Sequence, residues 1–111
     1  MNITDEFKEE FTQMFDVVLL INNIETKLAT FQALIDEVEY FSNRLDEEEL
    51  NPEEEAIRKE ELNYSFDQYT EYKQYLIEVL EDYMVKIEQM GKPIDIKYYK
   101  ILKQLRSSNE N

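Results

Sequence analysis

The chain contains no histidine, no cysteine and no tryptophan, and its 111 residues include one glycine and two prolines. Each absence removes a class of chemistry. Without histidine there is no Ser-His-Asp triad, no imidazole general base and no histidine ligand for zinc. The Glu-x-x-His motif of di-iron helical bundles cannot be formed either. Without cysteine there is no disulfide framework and no thiolate metal site, so cysteine usage carries no information on redox compartment. A single glycine rules out the glycine-rich phosphate loops of the P-loop and dinucleotide types. Paired carboxylates remain formal candidates for acid–base work. Among 26 acidic residues, however, some are neighbours by chance. The expectation is a non-enzymatic protein with no cofactor. Long hydrophobic runs are also missing: the longest, Val17–Ile21, is far short of the ~18 residues a membrane span needs. The N-terminal MNITDEFKEE lacks the basic segment of a signal peptide. A cytoplasmic protein with no membrane contact is expected.

What the chain has in excess is negative charge. It carries 26 Asp and Glu against 12 Lys and Arg, a net charge of −14. That field repels nucleic acid and anionic lipid, so direct binding to either is disfavoured. With 42% apolar residues the chain can still fold. Its length fits one domain of ~100–150 residues with a modest core.

Two points punctuate an otherwise unbroken helical pattern. At Leu50-Asn51-Pro52-Glu53-Glu54, Asn51 suits an N-cap, Pro52 the first helical position and Glu54 the acid of a capping box. At Met90-Gly91-Lys92-Pro93, Gly91 can adopt the left-handed conformation that closes a helix, and Pro93 stops its continuation. The pattern predicts an all-α protein. Helix one runs from about 5 to 45, capped by Thr4 with Asp5 and Glu6 at the positive end of its dipole. Helix two runs from 52 to 90, and a short helix three from about 93 to 106.

In helix two Leu62, Phe66, Tyr69, Tyr72, Leu76, Leu80, Tyr83, Ile87 and Met90 recur at three- and four-residue spacing, one stripe facing a core. In helix one Phe7, Phe11, Met14, Val18 and Ile21 open a stripe that Ile24, Leu28, Phe31, Ile35, Val38, Phe41 and Leu45 continue. At 100° per residue this stripe rotates by roughly half a circumference. Helix one must therefore wrap its partner steeply or bend, with Asn22-Asn23 the weakest point. Val17–Ile21 is apolar all round and needs more than one packing partner. Ile94, Tyr98, Ile101, Leu102 and Leu105 of helix three offer one such face. Because helix three covers about a third of the length, the expected architecture is a long antiparallel hairpin plus a short third helix. A second copy would complete the bundle as a homodimer; a compact monomer with a bent first helix is the alternative.

Three features bear on function. Asp46–Glu49 and Glu53–Glu55 form a dense acidic turn, but the alternating ligands and central glycine of a calcium loop are missing. Its plainer role is a solvated turn supporting the start of helix two. On the outer face of helix two, Glu60, Asp67, Glu71 and Glu78 share a narrow arc with Asp82 at its edge, ~6–10 Å apart along the axis. Tyr64 and Tyr75 flank them. A line of carboxylates beside amphipathic aromatics can compete for a basic groove that grips nucleic acid; the plainer reading is an ordinary solvated face. Finally, residues 92–111 carry five basic and two acidic residues, against 24 acids and seven bases before them. Helix three is expected to dock on its own acidic hairpin, and a contact with membrane or nucleic acid is the weaker reading.

In size, acidity and want of catalytic groups the chain resembles the small proteins, anti-CRISPR proteins among them, that phages and mobile elements use against host nucleases and transcription machinery. The resemblance is one of overall character and carries no residue across. The resulting expectation is an inhibitor that presents Glu60, Tyr64, Asp67, Glu71, Tyr75, Glu78 and Asp82 to a basic, nucleic-acid-binding partner protein. The competing expectation is a structural adaptor acting through dimerisation and apolar helix contacts.

Overall fold

The computed structural model describes residues 3–47 and 49–107, with the side chains at 3–7, 10, 11 and 47 outside that description. Phe7, Phe11, Glu48 and the tail beyond Ser107 therefore lie outside it in whole or in part. The described chain is all helical: α1 spans Ile3–Glu47, α2 Pro52–Gln89 and α3 Ile96–Ser107. The two long helices pack as an antiparallel hairpin, and the short third helix completes a helical bundle. Thr4 lies inside α1, which is already helical at Ile3, rather than preceding it as a cap. α1 runs without interruption through Asn22-Asn23.

The ends of α2 follow from local chemistry. The Glu54 amide donates to the Asn51 side-chain carbonyl at 2.8 Å, and Asn51 Nδ2 donates back to the Glu54 carboxylate at 2.8 Å. This is a capping box closed between side chains, with Pro52 at the first position, where its missing N–H costs nothing. At the other end Gly91 has φ 71°. Its amide donates to Glu88 O at 2.8 Å, and the Lys92 amide to Ile87 O at 3.3 Å, the paired bonds of a Schellman motif.

α3 begins at Ile96 rather than at Pro93. Asp95 is the reason: its carboxylate accepts the Lys97 amide at 3.0 Å and its carbonyl the Tyr98 amide at 3.1 Å. It acts as the N-cap, and Pro93 stands outside the helix.

The chain divides into two compact units. The first combines the described parts of 1–27 and 77–111, where all three helices contribute. Ile24, Ile77, Leu80, Met84, Ile87, Tyr98, Leu102 and Leu105 are buried there. The second, 28–76, is built from α1 and α2 alone. Phe31 and Leu76 are its buried apolar side chains, joined by Ser65 and Lys73. Phe31 stacks on Tyr69 at 5.3 Å and on Tyr72 at 6.4 Å between centroids.

The sequence stripes are corrected in detail. Ile24, Phe31, Leu76, Leu80 and Ile87 are buried as expected, but Met14, Val18 and Phe66 are exposed. In the first unit the buried arc of α2 widens to take in Ile77 and Met84, because α3 packs along that flank. Val17, Leu20 and Ile21 are partly covered, whereas Val18 and Leu19 remain exposed, so α3 does not enclose the apolar run on all sides.

α3 docks on acidic partners as its charge predicts. Lys97 Nζ lies 3.1 Å from Glu25 of α1, the Tyr98 hydroxyl donates to the same carboxylate, Arg106 pairs with Glu81 of α2, and the Tyr99 hydroxyl donates to Glu88.

Candidate protein-binding face on α2

Five of the residues singled out on helix two lie in the two-helix unit. Glu60, Tyr64, Asp67, Glu71 and Tyr75 are all exposed. At 100° per residue they fall within about 80° of arc, facing away from Leu76. They are held there because Ser65, Tyr69, Tyr72 and Leu76 turn the opposite side of α2 inward. Tyr64 is 67% exposed and Tyr75 46%, so both rings offer surface to a partner.

Among the described residues, no ion pair or side-chain hydrogen bond engages Glu60, Asp67 or Glu71, whereas nearby acids are paired. Glu61 pairs with Arg58 at 3.2 Å and Glu55 with Lys59 at 3.3 Å. The helical spacing explains this division. A base three or four residues away can reach an acid on its own flank, and around Asp67 and Glu71 those positions hold Asn63, Tyr64, Gln68, Thr70, Gln74 and Tyr75 besides the two acids themselves, with no base among them. The arc thus carries uncompensated negative charge. Glu78 and Asp82 belong to the first unit. Both are exposed, and Asp82 is engaged by Lys86 at 3.0 Å.

A shallow cleft of about 320 Å³ opens beside the acids, lined by Leu34, Gln68, Glu71, Tyr72 and Tyr75. Tyr72 and Tyr75 meet edge-on at 5.5 Å. Glu71 and Tyr75 therefore stand at the rim of an apolar depression. Tyr72 lies on the apolar stripe of helix two, and Leu34 lies outside the stripe of helix one. Their share in the cleft follows from this unit being built of two helices, which no local pattern encodes.

The acidic turn is ordinary in its described part. Glu53–Glu55 occupy the first turn of α2, where negative charge meets the positive end of the dipole. Among the described residues no cluster of three or more acidic side chains is placed to hold a metal ion, and no helix is long and apolar enough to cross a membrane.

Compared with known proteins, the chain matches no family model, no curated protein and no solved structure.

Proposed function

We propose that this chain is a non-enzymatic, protein-binding inhibitor of the kind used by phages and mobile elements, acting as a nucleic-acid mimic. The outer face of α2 occupies a basic, nucleic-acid-binding surface of a partner protein. The observation that carries the reading is the arc of Glu60, Asp67 and Glu71, exposed and uncompensated, beside the exposed rings of Tyr64 and Tyr75. Carboxylates at ~6–10 Å intervals along a helix present a negative field of the kind basic grooves are built to hold. The tyrosines supply contact area that is cheap to order. The test is affinity capture from the source organism's lysate with low- and high-salt washes, using wild type and the Asp67→Lys/Glu71→Lys variant. Exposed ionic contacts are screened over ~8–10 Å at physiological salt. A basic nucleic-acid-binding protein is expected, released by salt and bound at least about tenfold more weakly by the variant. A salt-resistant partner, equally retained by the variant, refutes the reading.

A second reading, a structural adaptor, is favoured by a separate observation. The two-helix unit leaves apolar clefts of about 320 Å³ at Leu34, Tyr72 and Tyr75 and about 290 Å³ at Ile35, Val38, Phe66 and Tyr69. A partner helix seated there would bind through apolar burial, and the salt-resistant outcome of the same capture would select it.

A further inference from the structure

The three-helix unit buries one side of α1 and leaves the other bare. Met14, Phe15, Val18 and Leu19 are 59%, 54%, 51% and 46% exposed. Their spacing places them on one arc of α1, roughly opposite buried Ile24. Asn22 continues that arc. Asp16 is the one charged residue between Met14 and Asn22, and it lies about 130° round the helix from the centre of the arc. On a protein with a net charge of −14, the arc from Met14 to Asn22 carries no carboxylate, and Glu25, one turn further along it, is paired with Lys97 at 3.1 Å.

We propose that this face pairs with the same face of a second copy. Charge is the first reason. Two copies of so acidic a chain repel wherever carboxylates meet. Pairing about a twofold axis through the Phe15–Asn22 stretch sets apolar surface against apolar surface and buries no unpaired charge. A basic partner finds at the edge of this face only Glu25, already engaged by Lys97 and Tyr98, and an anionic membrane is repelled by the rest of the chain. Area is the second reason. Four half-exposed side chains of this size present on the order of 400 Å² per copy. Pairing thus buries on the order of 800 Å² before the polar rim is counted, against ~1,200–2,000 Å² for stable interfaces. Thr12, Asn23 and Thr26, polar, uncharged and exposed, supply part of that rim. Spacing is the third reason. Phe15, Val18 and Asn22 are separated by three and four residues, the seam of a two-helix pair. Met14 and Leu19 flank the seam, and Asn22 ends it with a polar, uncharged and exposed side chain.

The proposal is independent of the acidic face on α2 and is tested without a partner. Because the chain has no cysteine, Val18→Cys carries the sole thiol. Mild oxidation of Val18→Cys is expected to yield a disulfide-linked dimer, and Tyr64→Cys, at an exposed position on α2, is expected to form no disulfide-linked dimer under the same conditions. Sedimentation of the wild type across the micromolar range is expected to give the dimer mass. Phe15→Glu/Leu19→Glu is expected to give half that mass with unchanged helical circular dichroism. If the double variant fails to fold, the cysteine pair decides. A wild type that stays monomeric overturns the proposal. A dimer that survives the glutamates, or cross-linking of Val18→Cys no faster than of Tyr64→Cys, overturns it as well.

Discussion

At the residue scale, helix boundaries rest on a few side chains whose geometry is purely local. Asn51, Pro52 and Glu54 were legible because a cap needs only the residues within one turn of it. Asp95 was missed for the same local reason: Pro93 fits a first helical position, and nothing in the spacing prefers an aspartate two residues on until the backbone is seen. Gly91 is the residue whose substitution is simplest to forecast. A Cβ there meets nothing within 4 Å, so the cost of Gly91→Ala is conformational, from φ 71°. It is expected to destabilise the protein by about 1 kcal/mol, measured as a lower urea midpoint with an unchanged m-value. No loss of stability would show that the Schellman turn is dispensable. Ser65 and Lys73 could not have been placed from sequence. Both are buried, and Ser65 Oγ finds no hydrogen-bond partner. A polar residue on an apolar stripe reads as an interruption until its neighbours are known.

At the scale of elements, α3 is held by burial and by a clamp that titrates. The hydrogen bond from the Tyr98 hydroxyl, followed by that from Lys97, holds the Glu25 carboxyl below the usual carboxylate range. Burial, and then the Glu25 contact, pushes the Tyr98 phenol above its ordinary value. A depressed carboxyl stabilises the fold above its unfolded pKa, and that contribution fades as pH falls through the folded value. A raised phenol stabilises below its unfolded pKa, near 10.0, and its contribution fades as pH rises through the folded value. Docking of α3 is therefore expected to loosen both below the carboxylate range and above the phenolic one. Following Tyr98 and Leu102 by NMR across pH should reveal both limbs. Glu25→Gln should diminish the acid limb, leaving what Glu81 and Glu88 contribute, and keep an alkaline one from Tyr98 desolvation. An acid limb of undiminished size in that variant would exclude the clamp as its cause. The basic composition of α3 made docking on the acidic helices legible; that Glu25, rather than another of the 24 acids preceding Lys92, is the receptor follows only from how α1 and α3 meet.

At the scale of the molecule, the two units differ in how completely they bury their apolar stripes. Among the described residues, the first has three helices and eight buried apolar side chains; the second has two helices, with Phe31 and Leu76 buried. Burial contributes roughly 25 cal/mol per Å² of apolar surface, so local opening should be easier where neighbours are missing. In native-state hydrogen exchange, amides of Leu80–Ile87 are expected to be protected at least about tenfold more than those of Leu62–Tyr69. Equal protection along α2 would indicate that the two units open together.

The sequence by itself determined the all-α class, the hairpin with a short third helix, the caps at Asn51 and Gly91 and the placing of Glu60, Tyr64, Asp67, Glu71 and Tyr75 on one outer arc. These depend on periodicity and on contacts within a turn, which the order of residues encodes directly. Only the tertiary structure decided which apolar residues are covered. Helical spacing places Met14, Val18 and Phe66 beside true core residues, but whether such a residue is buried depends on a neighbouring helix reaching it. Met14 and Val18 lie on the side of α1 turned away from buried Ile24, and Phe66 lies in the unit built from two helices, so no neighbouring helix covers them.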